Sequence, residues 1–384
     1  MRKTTLLSAL LLAAAASAGA PSARGGLPRS EDGGPLAAAG EGPRLTRTDF
    51  NRLAASAHLP LFWMPVDSDT ATLRPSDLVA VRDAAALERY VSKGRFTPEF
   101  ESAYRGLVET RRREAVRKEL EQGRPNLILT DLRRAPGPDR LLARHLVSAG
   151  DLIDELFSRQ MGGWRWREAA SRADPESRTL FERNHSPWCE APATEDDPFC
   201  NAVPSFPPRK SGLYPESLSH DSALCESLRS RPESSALLDP FTVVVEKGEE
   251  LAAAPSAKGA RPRSEDGGPL AAAPLTEVYG ETMKGVAREL RSAAAAQDRE
   301  EEALTAYLLA AAGGFETGDW SAADEAWSRM NGRNSRWYLR IAPDETQFDP
   351  CQEKAGFHVS FARIDPASLA WQDRLTPLRQ EMED

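Results

Sequence analysis

Between residues 139 and 163 the chain reads DRLLARHLVSAGDLIDELFSRQMGG, and no other stretch limits its architecture as tightly. Leu142, Leu146, Ala149, Ile153, Leu156 and Phe157 recur at the spacing that places side chains on one face of a helix. The pair Gly162-Gly163 supplies the stop. A helix with so continuous an apolar face must form one wall of a packed core. The remaining elements therefore have to supply the opposing walls.

They are mostly helical too. TRTDFNRLAASAHL opens on a threonine cap, and SDLVAVRDAAALERYV is expected to be helical from Ser76. The stretch from Thr97 has that residue as cap, Pro98 in the first turn and Gly123 as the stop. Residues 172–235 are Pro-rich and read as loop. From 240 the texture changes: PFTVVVEKGEELAAAP reads as a hairpin with its turn at Lys247-Gly248. Helices are expected at about 276–297, 299–313 and 320–331, and strands at 335–343 and 355–364. A last helix opens on Asp365-Pro366 and carries Leu369, Leu375, Leu378 and Met382 on one face. The fold class is α+β, predominantly helical: a helical N-terminal part, then a mixed hairpin and helix part.

Composition narrows function more than fold. The 384 residues include 40% hydrophobic ones, enough for a real core, while 29 Pro and 26 Gly imply substantial loop. A formal charge of −9 argues against nucleic acid or anionic lipid as the main partner. The basic run RRREAVRK (111–118) sits among Glu109, Glu114 and Glu119 and reads as a solvated helix face. Arg2 and Lys3, the apolar run Leu6 to Ala16 and the small residues around Ala18 describe a signal peptide over 1–20. Residues 21–44, rich in Gly, Pro, Ala and Ser, are expected to be a disordered linker. No later segment approaches the length of a membrane span. The expected destination is secreted or periplasmic. There Cys189, Cys200, Cys225 and Cys351 are better disulfide partners than metal ligands. Cys189 with Cys200 is the favoured pair, which leaves Cys225 with Cys351; four cysteines allow three connectivities.

Candidate metal ligands are few. Asp67, Asp69 and Asp77 lie between two expected helices, so 45–95 reads as a helical, EF-hand-like segment and the three acids as weak calcium ligands. Counting from Asp67 puts Ala71, Thr72 and Leu78 where a working loop needs a ligand, a glycine and a bidentate acid, so the loop is degenerate. The five histidines (His58, His145, His185, His220 and His358) include no helix-borne His-Glu-x-x-His or His-Glu-x-x-x-His pair. His358 is expected to be a hydrogen-bonded structural residue in a strand. No nucleophile elbow, phosphate loop or dinucleotide fingerprint is present.

The order of pieces in the second half is nevertheless distinctive. It runs through RHLVSAGDLIDELFSRQMGG, NHSPWC and RKSGLYPESLS, then the hairpin and LTEVYGETMKGVARELRSAAA, then NSRWYLRIAPDETQFDPCQEKAGFHVSFARI. Over roughly 140–384 this succession resembles the dipeptidyl-peptidase III-like zinc metallopeptidases in their exported bacterial form. The landmarks are Leu213-Tyr214-Pro215-Glu216, Pro274-Leu275-Thr276-Glu277-Val278-Tyr279 and Pro343-Asp344-Glu345-Thr346-Gln347. The resemblance implies that Glu345 lies beside the substrate; Gln347 stands where the family has a tyrosine, and cannot replace its phenol. It also implies zinc from a His-Glu-x-x-x-His helix placed farther along a chain than Ile364, and that motif is absent here. The expectation is a region, 96–384, truncated before the zinc motif, with no cofactor and inactive alone as a peptidase. Its partner would be a missing C-terminal half or a peptide ligand. The alternative is a secreted, non-catalytic binding module.

One feature belongs to neither reading. PRSEDGGPLAAA occurs at 28–39 and again at 262–273, and LAAAP occurs at 251–255 and 270–274. Removing 256–274 joins the hairpin directly to the following helix. That segment therefore reads as a low-complexity insertion, tolerable in a surface loop.

Overall fold

The computed structural model describes residues 42–64, 72–123, 130–246, 269–345 and 349–383. The expected signal peptide and nearly all of the expected linker lie outside them. Two hydrophobic cores organise the rest.

The first core begins with α1 (Arg47–Ser56), whose Thr46 side chain accepts the Asp49 N–H. Such a cap contributes about 1 kcal/mol. The short strands β1 (Leu61–Trp63) and β2 (Leu78–Ala80) pair antiparallel, Trp63 opposite Leu78. After α2 (Ala85–Glu88), the strands β3 (Val91–Ser92) and β4 (Arg95–Phe96) form a second ribbon. The long helix α3 (Pro98–Glu121) follows, capped by Thr97. Helix was expected from Ser76 through Val91; strand, a four-residue helix and strand stand there instead. Val79 and Val81 are β-branched, and Leu78 is buried beside Leu61 and Trp63, so strand pairing outweighs a weak helical preference. Residues 67–77 are consequently flanked by β1 and β2, and the helix–loop–helix layout is not formed.

The marker helix is α4 (Gly137–Gln160), and Leu142, Leu146, Ala149, Ile153 and Leu156 are all buried in the second core. The chain then returns to the first core through the 3-10 turn Trp164–Trp166, α5 (Arg167–Ser171) and α6 (Pro175–Asn184). The loop expectation for 172–235 fails at α6, α7 (Ser222–Arg229) and α8 (Ser234–Leu237). Asp174-Pro175 was the missed start signal: Asp174 accepts the Ser177 N–H, and Pro175 occupies the first turn.

The rest of the second core consists of β5 (Thr242–Glu246), β6 (Leu270–Pro274), α9 (Leu275–Val278), α10 (Gly280–Ala295), α11 (Glu302–Thr317) and α12 (Ser321–Arg329). Strands β7 (Trp337–Glu345) and β8 (Gly356–Arg363) pair antiparallel, Ile341 opposite Val359. Helices α13 (Pro366–Leu375) and α14 (Arg379–Glu383) end the described chain. Helix α10 packs against both α4 and α11, and Leu290, Leu304, Leu308 and Phe315 of α10 and α11 are each essentially solvent-free. Burying a side chain of that size contributes about 1.5–3 kcal/mol.

The hairpin carries a correction. Its return strand was expected from the first LAAAP, but β5 pairs with the second, Val244 opposite Ala272. The Lys247-Gly248 turn lies outside the described residues. Because the two pentapeptides are identical, removing 251–269 or 256–274 yields the same polypeptide.

Both disulfides form as read: Cys189 with Cys200 in the first core, Cys225 with Cys351 in the second.

Candidate functional site

Where α4 ends, the two cores meet in a cleft of about 700 Å³. Close backbone approaches fix the chain just beyond α4. Gly162 has φ +75°, and a Cβ there would lie 1.9 Å from the Lys210 carbonyl oxygen; one on Gly163 would lie 2.3 Å from that of His185. Only glycine permits this approach. The Gly212 N–H donates to the Gln160 carbonyl at 2.8 Å, tying the crossing segments together.

One wall is α4, which presents Asp151, Asp154 and Glu155; the other presents Arg167, Arg178 and His185 together with the acid Glu182. His185 caps α6 in the left-handed region at φ 50°, a conformation that costs a non-glycine residue free energy. Its ring stands edge-on to Phe157, and Nε2 lies 3.6 Å from the Asp154 carboxylate. Burial raises the Asp154 carboxyl, with the His185 interaction opposing that shift. Trp164 lies between two guanidinium groups, Arg159 at 4.6 Å and Arg167 at 4.7 Å from its ring centre. Arg165 pairs with Glu216 across the junction. The cleft thus offers an acidic wall and a wall of mixed charge, with Trp164 in its lining. That set suits a ligand with separated charges.

Sequence-expected positions fall elsewhere. Glu345 ends β7 opposite Gly356. Gln347, Asp67 and Asp69 lie outside the described residues. Asp77 is occupied locally: its carboxylate accepts the Arg74 N–H at 3.0 Å and the Ser76 hydroxyl at 3.3 Å. Two of the landmark segments meet, because the Tyr279 hydroxyl donates to the Gly212 carbonyl at 3.1 Å, beside Leu213-Tyr214. His358 lies 3.8 Å from Asp344 through Nε2, while its buried Nδ1 has no hydrogen-bond partner. His145 pairs with Glu289, and His220 sits between the Ser211 N–H and the Pro215 carbonyl. The histidines thus occupy separate environments. Asp154, His185, Trp164 and Arg167 were missed as a group. The available signal was WRWR directly after the double glycine.

The basic run also needs correcting. Arg113 and Arg117 are exposed as read, but Arg112 is only 1% exposed. It holds Glu109 with two hydrogen bonds of 2.7 Å, and reaches Asp174, the Ser177 hydroxyl and the Asn201 carbonyl at 2.8 Å. Burial works against the Asp174 carboxylate, yet Ser177 and Arg112 pull it down to about 2. About two turns farther along α3, the fully buried Glu119 gathers the disulfide loop. It accepts from the Thr194 hydroxyl and the Glu190 and Ala191 N–H groups, and pairs with Arg183. Those hydrogen bonds outweigh burial and hold its carboxyl below the usual range.

Among the described residues, the group with three metal-capable side chains in reach of one another is Glu119, Cys189 and Cys200, within 4.8 Å. Both sulfurs are spent in a disulfide and the carboxylate is taken by N–H and O–H donors. This donor set does not fit zinc.

Two solved structures resemble the fold. DPP III from Caldithrix abyssi aligns over 70% of this chain with 24% identity and a TM-score of 0.54. Dipeptidyl-peptidase III from Corallococcus sp. strain EGB aligns over 70% with 20% identity and a TM-score of 0.53. The chain spans 47% of the length of each. No protein-family model and no curated protein matches it. The likeness establishes a dipeptidyl-peptidase III-like, α+β fold.

Proposed function

We propose that this chain is an exported dipeptidyl-peptidase III-like protein that holds peptides beside α4 without hydrolysing them. The observation that carries the reading is a donor set unfit for zinc within a dipeptidyl-peptidase III-like fold. Such hydrolysis needs a metal-activated water, and the His-Glu-x-x-x-His motif is absent from all 384 residues. The opposed walls support the peptide part: Asp151 and Asp154 suit a terminal ammonium, Arg167 and Arg178 a carboxylate. Glu345 is kept as a substrate-side residue at the end of β7. Two disulfides support the exported part.

The test is metal analysis of the purified protein, together with dipeptide release from a tetrapeptide and its calorimetric titration. Sub-stoichiometric zinc, no release and measurable binding are expected. Stoichiometric zinc or released dipeptide would sink the non-hydrolytic reading, and silence in the titration would sink the binding one. A second reading has the zinc-bearing portion supplied by a separate polypeptide; the chain spans 47% of the length of each structure it resembles. A neighbouring reading frame encoding His-Glu-x-x-x-His checks it.

A further inference from the structure

Helices α13 and α14, joined by the 3-10 turn Thr376–Leu378, follow one another as a short helical rod. The rod is anchored on one side. Leu369 lies over Gly332, where an added Cβ would come within 2.8 Å of it, and Asp373 pairs with Arg333 at 3.0 Å. Trp371, Leu375, Leu378 and Met382 are 61%, 43%, 44% and 62% exposed, and none belongs to either core. They follow one another at the four-three-four spacing of a coiled-coil seam. Pro377 falls away from that seam, so it does not interrupt the stripe.

We propose that this stripe is a contact between two copies of the chain, packed antiparallel about a twofold axis. The spacing is the same read from either end. Reversal therefore sets Trp371 against Met382 of the second copy, a favourable sulfur–aromatic contact, and Leu375 against Leu378. The flanking charges choose the direction. Arg374 and Glu381 lie seven residues apart on one flank and make no ion pair among the described residues; Arg374 only stacks on Trp371 at 5.4 Å. Antiparallel packing brings each Arg374 to the second copy's Glu381, twice by symmetry. Parallel packing would oppose Arg374 to Arg379 and repel.

Four residues a side is a small contact, so the dimer is weak, with Kd of roughly micromolar to millimolar. Sedimentation equilibrium of the full chain over about a thousandfold concentration range should show mass rising toward the dimer. Leu375→Glu should weaken association at least about tenfold, with circular dichroism and melting unchanged, since the side chain supports neither core. Arg374→Glu and Glu381→Arg should each weaken it about two- to fivefold, and the double variant should restore it. A monomer at every concentration overturns the proposal, as does a dimer indifferent to Leu375→Glu or a charge exchange that fails to restore. A blue shift of Trp371 emission with anionic phosphatidylserine vesicles and no self-association would assign the face to lipid, and overturns it equally.

Discussion

The two cores solve the same problem by different means. The first buries charge: Arg112 and Glu119 are almost solvent-free, each enclosed by several partners, and a disulfide closes a loop of 11 residues' separation around Glu119. The second buries a larger hydrocarbon cluster around α4, α10 and α11 and sets its buried charges, Asp139, Glu301, Asp349 and Lys354, around that cluster, with a disulfide across 126 residues. Lys354 donates to the Leu237 carbonyl at 2.6 Å, the Asp239 carbonyl at 2.9 Å and the Thr242 hydroxyl at 2.8 Å. Apolar packing tolerates small changes by relaxation. A buried ion network does not, because removing one member strands the others in a poor dielectric.

Loop length sets the largest expected contrast. Replacing Cys225 and Cys351 by serine should cost about 5 kcal/mol, and replacing Cys189 and Cys200 about 3 kcal/mol, from unfolded-state loop entropy. Urea unfolding measures both; equal losses would erase the distinction. Arg112→Ala should cost about 3–5 kcal/mol, since it leaves Glu109 and Asp174 uncompensated. A loss below about 1 kcal/mol would mean the network is dispensable.

The cores should also differ in their response to pH. Asp174 titrates at about 2 when folded, below its ordinary 3.8. Its stabilisation is present above 3.8 and drains away as pH falls toward 2. Burial depresses Lys354 from 10.5 to about 8. Between those values the unfolded chain binds more protons, so this residue's contribution becomes more favourable as pH rises through about 8. Melting curves of the wild type against Asp174→Asn in acid, and against Lys354→Met in base, should diverge in those windows; parallel curves would contradict the assignments. The smallest effect concerns the hairpin. Deleting 251–269 keeps β6 intact and should leave the melting temperature unchanged or slightly raised, because a shorter loop closes at lower entropic cost. A fall of several degrees would show that the segment packs.

Much of this was legible residue by residue. Thr46, Thr97 and Asp365 announce helix starts because capping is local chemistry. The α4 stripe announces its burial because period and face are one statement. Cys189 with Cys200 was the favoured pair because the two bracket a short loop, and Cys225 with Cys351 was its remainder. Legibility failed wherever distant segments decide the outcome. Leu78–Ala80 is strand because Leu61–Trp63 lies beside it, and nothing within SDLVAVRDAAALERYV encodes that neighbour. Arg112 looks like its exposed neighbours, Arg113 and Arg117, until α6 brings Asp174 against it.

By itself the sequence determined the predominantly helical class, the core face of α4 and the lack of a His-Glu-x-x-x-His site, all set by local pattern or by composition. Tertiary structure alone decided which copy of LAAAP pairs with β5, since identical pentapeptides carry no preference of their own. It alone assembled Asp154, His185, Trp164 and Arg167 into one cleft, because side chains as far apart in sequence as Asp154 and His185 become neighbours only when packed cores hold their backbones together.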